Sequence, residues 1–245
     1  MRIACCIVAA GKGTRLGDEW IDTPKALVTL LGRAMLYYSL EAFDAASGLH
    51  DDIGLESFVV TTPPDAIDEF RRLAKIWGFS RPVNIIEGGA SRAESVFKAL
   101  SSLKDNPPDM VMIHDCARPC LTADMIKSLL DVTRDGTAAT LAHPAVDTLR
   151  ILDNSHIAGE VDRETIACLE TPQLFTYGRI LELHEQAEGN ARLPDDTTLF
   201  VRAGETVKVV YHEGSNMKVT YPDDIAAAEG ILFQRGWHDV SEGED

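Results

Sequence analysis

The residues from Ile3 to Lys25, I-A-C-C-I-V-A-A-G-K-G-T-R-L-G-D-E-W-I-D-T-P-K, limit the fold more than any other part of the chain. Ile3 to Ala10 is a run of small and branched apolar residues with the length of a strand buried on both faces, and it stops at Gly11. Gly11 and Gly13 lack a Cβ, so an anion can approach the backbone N–H groups of the loop closely. Arg15 and Lys25 add two cations to the same loop, a combination that suits a triphosphate. A dinucleotide fingerprint needs a helix to start inside the loop, and Gly17, Asp22 and Pro24 oppose one. A P-loop needs Gly-Lys-Ser/Thr four residues after a glycine, and none follows.

Downstream the chain alternates. Helical spacing predicts helices over Met35 to Ala46, Ile67 to Trp77, Arg92 to Leu103 and Thr122 to Val132, the last capped by Thr122. Strands are expected at Ser57 to Thr61, Val83 to Ile86, Met110 to Ile113 and Thr137 to Ala142. This alternation predicts an α/β fold, a mostly parallel sheet covered on both faces, with ligands beyond the carboxyl ends of the strands. Three of those ends carry polar loops: Gly11 to Lys25, Gly88 to Arg92 and Asp115 to Arg118.

The segment 144–172 breaks the rhythm. Val146 to Leu152, a turn at Asp153-Asn154-Ser155, and Ile157 to Val161 predict a hairpin that projects as an arm and is ordered by a partner subunit. Helices over Tyr177 to Ala187 and Asp195 to Val201, a strand over Val207 to Tyr211, and a last helix capped by Thr220 and ending near Arg235 complete the expectation. One domain is expected over residues 1–236, with 237–245 a disordered acidic tail.

With 245 residues, 45% of them hydrophobic, the chain can bury a core without disulfides. Its five cysteines are odd in number, and Cys5 and Cys6 lie within the first strand, which fits buried thiols in a cytoplasmic protein. His114, Cys116 and Cys120 lack a second closely spaced pair to complete a zinc site. A net charge of −16 speaks against nucleic-acid or anionic-membrane surfaces. Local cations can still hold a triphosphate. Asp115, just past an apolar strand, is placed to hold Mg²⁺ between phosphate oxygens, and Lys218 is a cation between Met217 and Val219.

In order along the chain stand A-A-G-K-G-T-R (Ala9 to Arg15), Pro24-Lys25, G-G-x-x-R-x-x-S-V (Gly88 to Val96), H-D-x-A-R-P (His114 to Pro119), V-D-R (Val161 to Arg163), T-P-Q (Thr171 to Gln173) and N-x-K-V-T (Asn216 to Thr220). This ordered set resembles the 2-C-methyl-D-erythritol 4-phosphate cytidylyltransferase family over nearly the whole chain. The resemblance implies a Rossmann-like nucleotidyltransferase fold, CTP and a sugar-alcohol phosphate as reactants, Mg²⁺, and a homodimer joined through the arm. It implies that Ala9, Ala10, Gly11, Gly13, Gly89, Arg92 and Ser95 line the CTP site, with Arg15, Lys25 and Lys218 on the phosphates and Asp115 on the metal. Arg118 and Thr148, with Arg163 and Thr171 of a second subunit, would face the acceptor. Three positions depart from the family pattern: Ala90 where an acid is common, Ala26 where Gln is common, and Pro194-Asp195-Asp196 for Thr-Asp-Glu/Asp. A cytidylyltransferase for ribitol 5-phosphate and a non-catalytic nucleotide-binding protein of the same fold are the alternative readings.

Overall fold

The computed structural model describes residues 1–11, 13–17, 20, 22–49, 53–133, 136–187 and 193–240. In chain order its strands are β1 (Arg2–Val8), β2 (Thr29–Leu30), β3 (Arg33–Ala34), β4 (Gly54–Thr62), β5 (Val83–Glu87), β6 (Met110–Asp115), β7 (Ala139–Pro144), β8 (Arg150–Asp153), β9 (His156–Glu160), β10 (Ala167–Thr176) and β11 (Lys208–Tyr211). The helices are α1 (Met35–Ala46), α2 (Ile67–Trp77), α3 (Arg92–Ser101), α4 (Ala123–Asp131), α5 (Tyr177–Gln186), α6 (Thr197–Arg202) and α7 (Asp223–Gln234). Seven strands form one sheet in the order β11-β7-β10-β6-β1-β4-β5. All its neighbouring pairs are parallel except the two that β10 makes.

Strand geometry explains why β1 is apolar throughout. Successive side chains point to opposite faces, and β1 lies between β4 and β6 with helices on both sides. Ile3, Cys5 and Ile7 pack on one face with Leu36, Leu40 and Phe43 of α1 and Met125 and Ile126 of α4. Cys6 turns to the other face, among Val96 and Leu100 of α3, Ile180 of α5 and Phe200 of α6. All five cysteines are free. No helix is long and apolar enough to cross a membrane among the described residues.

β10 is the element the sequence pattern conceals. Pro172 stands in its middle, and proline has no N–H to give to a ladder, a reason to reject an interior strand. The chain accommodates it with a register irregularity between Leu169 and Gln173 in the pairing with β7, while pairing with β6 begins only at Gln173. The buried run from Glu170 to Phe175 also lacks the alternation of a half-exposed strand.

Two further expectations need correction. The last helix is not capped by the Thr220 side chain; the Asp224 carboxylate accepts the N–H groups of Thr220 and Tyr221 at 2.7 and 2.8 Å. The tail does not fray at Gly236 either. The Trp237 ring packs edge-on to Tyr38 with centroids 4.9 Å apart, and the Arg33 guanidinium sits 5.4 Å from its centroid. Residues 241–245 of that tail lie outside the described residues. The predicted hairpin is present as the β8–β9 pair, apart from the main sheet, but the arm is shorter than the expected 144–172, because residues 167–172 belong to β10 of the main sheet. It leaves Ile151, Leu152 and Ile157 exposed, with Val146 at its base.

Candidate active site

The carboxyl ends of β1, β4, β5 and β6 open onto one cleft of about 990 Å³. Ala9, Ala10, Gly11 and Arg15 line it from the first loop, Gly89, Arg92 and Ser95 from the β5–α3 junction, and Asp115, Lys25 and Lys218 from the floor and far wall. Ten of the residues expected around a triphosphate and its metal are thus gathered in one place. No α-helix starts among the described residues of the first loop; Leu16 N–H closes a turn on the Gly13 carbonyl at 2.8 Å, a short 3-10 turn spans Lys25–Leu27, and the next α-helix begins at Met35.

The glycines do different work. A Cβ on Gly11 would meet nothing within 4 Å, so that position opens onto the cleft. Gly13 does not line the cleft. With φ of +66° and an added Cβ only 2.9 Å from the Lys25 Cβ, it lets the loop press against Lys25, which shapes the site from behind. Ser95 also acts through the backbone: its hydroxyl accepts the Gly89 N–H and donates to the Ser91 carbonyl, both at 2.9 Å. Ala90 brings no acid, yet Glu94 lines the same wall and accepts the Ala90 N–H at 2.8 Å.

Asp115 is the centre of a charged lattice. Its Oδ1 accepts from Arg92 Nε at 2.8 Å and its Oδ2 from Lys218 Nζ at 2.6 Å. Burial alone would raise its pKa, but Arg92 and Lys218 more than offset this and hold the carboxyl well below the usual carboxylate range. Its backbone N–H is held by Thr171 Oγ at 3.0 Å, and that hydroxyl donates in turn to His114 Nδ1 at 3.1 Å. Burial pulls the His114 pKa down to about 3, so the ring is neutral and Nδ1 is free to accept.

These contacts bear on two assignments. Arg92 borders the cleft, but its guanidinium is committed to two carboxylates, Asp115 and the buried Asp196, the latter also at 2.8 Å. It holds Asp115 in place, while its NH2 is buried and has no partner among the described residues. Thr171 is buried in its own chain, where its hydroxyl holds the Asp115 N–H. Asp196 and His184, which join at 3.0 Å behind Arg92, were not singled out in the sequence. The signal lay in Pro194-Asp195-Asp196, which Gln173 ties to β10 through Asp195 Oδ2 at 2.9 Å and the Asp196 N–H at 3.2 Å.

Lys25 and Lys218 meet because Lys25 Nζ donates to the Val219 carbonyl. Val219 is itself fastened to the Ala117 carbonyl at 2.8 Å. Burial, and then the charge of Lys218, lower the Lys25 pKa to about 8. The charged form is the one that binds an anion, so kcat/KM for the anionic ligand of this cleft is expected to fall as pH rises through that value. Lys25→Arg, which does not titrate there, is expected to move the alkaline limb upward; an unchanged limb would remove Lys25 from the binding step.

Arg118, Thr148 and Arg163 lie outside the cleft lining. Arg118 follows Ala117, which lines the cleft, and donates from NH1 to the Asn216 carbonyl at 2.7 Å, while its Nε is buried and has no partner among the described residues. Thr148 and Arg163 are exposed at the two feet of the arm, where Arg163 NH1 reaches the Val146 carbonyl at 3.3 Å.

Residues 3–234 match the family model described as 2-C-methyl-D-erythritol 4-phosphate cytidylyltransferase. A protein of that name from Dictyoglomus thermophilum is 33% identical over 235 residues, covering 94% of this chain and 96% of the relative. One from Burkholderia cenocepacia is 36% identical over 239 residues with the same shares. Among solved structures, the enzyme of that name from Thermus thermophilus superposes with a TM-score of 0.69 at 26% identity, covering 93% of this chain and 98% of that one. A 4-diphosphocytidyl-2C-methyl-D-erythritol synthase from Anaerococcus prevotii shares the fold with a TM-score of 0.79 at 24% identity, covering 94% and 98%.

Proposed function

Because this chain belongs to the 2-C-methyl-D-erythritol 4-phosphate cytidylyltransferase family, we propose that the cleft beyond β1, β5 and β6 is where CTP and the acceptor meet. The chain is a cytidylyltransferase of Rossmann-like fold that transfers CMP from CTP to 2-C-methyl-D-erythritol 4-phosphate, releasing pyrophosphate, in isoprenoid precursor biosynthesis. The observation that carries the site is the grouping of Arg15, Lys25 and Lys218 around Asp115 on a glycine-lined floor.

Charge dictates the mechanism. A phosphate monoester has a second pKa of about 6 and is mostly dianionic at neutral pH, so its oxygen needs no general base to attack the α-phosphorus of CTP. A bond forms from that oxygen to the α-phosphorus while the bond to the oxygen bridging to the β-phosphate breaks, and pyrophosphate departs with the electron pair. The chain must align two anions and neutralise them. Lys25 and Lys218 do so at the floor and Arg15 at the mouth, with Gly11 leaving room for the phosphates.

The residues fit Mg²⁺ carried with the nucleotide. Asp115 is ionised and borders the cleft, whereas no group of three His, Cys, Asp or Glu among the described residues is placed to hold a metal ion. Asp115 would thus give one ligand and the CTP phosphates most of the others, the usual division for this ion. When bound, Mg²⁺ would neutralise phosphate charge.

At the acceptor end, the charge of Arg118, whose buried Nε has no partner among the described residues, would serve the sugar-alcohol phosphate together with Thr148. The second subunit would supply Arg163. Exposure of 54% at Ile151, 64% at Leu152 and 72% at Ile157 supports a homodimer in which the arm is covered by a second copy. The free, mostly buried thiols support a cytoplasmic setting.

The test is pyrophosphate release in the presence of Mg²⁺ from CTP and a panel of sugar-alcohol phosphates. Methylerythritol 4-phosphate is expected to turn over fastest. Faster turnover of ribitol 5-phosphate at equal concentration would overturn the acceptor assignment, and no release with any acceptor would favour a non-catalytic nucleotide-binding protein.

A further inference from the structure

Behind Arg118 lies a second cluster of charges that the mechanism above does not use. Glu170 of β10 is 3% exposed, and both of its oxygens are filled. Oε1 accepts from His143 Nδ1 of β7 at 2.8 Å, and Oε2 accepts from His212 Nε2 and Asn216 Nδ2, each at 2.8 Å. His212 follows β11, and its side chain is 3% exposed. Its other nitrogen, Nδ1, faces the Glu213 carbonyl at 3.2 Å. A carbonyl and an ionised carboxylate can only accept, so this setting of His212 suits the doubly protonated, cationic ring.

The cluster touches the acceptor end of the site at two points. Arg118 NH1 stands 3.7 Å from Glu170 Oε1, too far for a hydrogen bond. It donates instead to the carbonyl of Asn216, the residue whose side chain joins Glu170 Oε2 to the Thr171 carbonyl at 2.9 Å. The other charged groups nearby are Arg235 at the end of α7, which holds the Ser215 carbonyl at 2.8 Å, the exposed Glu213, and Asp115 and neutral His114 beyond Thr171.

We propose that Glu170 and protonated His212 are positioning residues for the acceptor phosphate. The positive charge of His212 on Oε2 offsets the Glu170 carboxylate, whose Oε1 lies 3.7 Å from Arg118, so that more of the Arg118 charge remains available to an incoming dianion. Loss of the His212 proton would leave a neutral ring that still donates to Glu170 beside His143 and Asn216, but the positive charge offsetting the carboxylate would be gone, so Glu170 would draw more on the charge of Arg118 and the acceptor would bind more weakly. The hydrogen bond from Glu170 raises the His212 pKa above its ordinary value, so the switch falls on the alkaline side of the usual histidine range. The inference rests on the proposed placement of the acceptor phosphate at Arg118.

The test measures KM for methylerythritol 4-phosphate, KM for CTP and kcat from about pH 6 to about pH 9, a span bracketing histidine titration. The full-length protein is compared with H212Q, E170Q and Arg118→Ala. In the parent, acceptor KM is expected to rise on the order of tenfold as His212 deprotonates, the scale of a lost partly buried charge, while CTP KM does not follow the His212 titration. In H212Q the acceptor KM is high at all pH values and that inflection is gone; in E170Q the inflection moves toward ordinary histidine. If Arg118→Ala raises acceptor KM but H212Q keeps the parental profile, the placement of the acceptor stands and the inference alone is overturned. If Arg118→Ala leaves acceptor KM unchanged, the placement is wrong and the inference falls with it. A proton NMR titration of His212 in the intact parent gives a reading free of variant folding, and a midpoint below about 6.5, the ordinary value, would also overturn the proposal.

Discussion

Lys218→Ala is expected to lower kcat by about a hundredfold to a thousandfold, the loss typical when a preorganised donor to developing charge is removed. The side chain is 41% exposed and donates to the Asp115 carboxylate at 2.6 Å, with Lys25 close enough to feel its charge. Its removal leaves Asp115 paired with Arg92, so the fold survives while negative charge on the departing pyrophosphate loses a partner. The melting temperature should stay close to that of the parent. A variant that turns over like the parent would make Lys218 a structural partner of Asp115 and nothing more.

The second large effect is restoration of activity by mixing two dead proteins. Arg163 sits away from its own cleft, at the foot of an arm whose apolar side chains are exposed. If it serves the other subunit, Arg163→Ala and Lys218→Ala homodimers are each nearly inactive. A heterodimer gathers both lesions in one site and leaves the other whole. Random reassortment of equal amounts makes half the dimers mixed, each with one working site, so roughly a quarter of parental activity should return. A population shown by mass to be heterodimeric yet inactive would remove the arm from the active site.

What could be read from residues alone follows from how local each signal is. The first strand, its glycine loop and the helices from Met35 to Trp77 were legible because burial and period are written in adjacent residues. The cations Arg15, Lys25 and Lys218 were legible because charges on a strand-end rim have few uses in an acidic chain. β10 was not, since Pro172 argues against a central strand and only the pairing with β6 and β7 shows how the ladder absorbs it. Asp196 and Glu170 were equally hidden. Each is a buried acid whose meaning depends on a partner far along the chain, Arg92 for the first and His143 and His212 for the second. Thr171 shows the converse: its motif was seen, but its partner within the chain, the N–H of Asp115, could be found only in three dimensions.

The central claim is that the acceptor's phosphate oxygen attacks the α-phosphorus of CTP in the cleft that joins Lys25, Lys218 and Asp115. Phosphorus NMR of the products formed from CTP and 2-C-methyl-D-erythritol 4-phosphate with Mg²⁺ tests it most directly. The expected result is two new, mutually coupled diphosphate resonances, one phosphorus from the acceptor and one from the CTP α position, with an equal amount of pyrophosphate. Formation of CDP with a phosphorylated acceptor or free phosphate would mean that the γ-phosphorus is attacked instead, and would contradict the account.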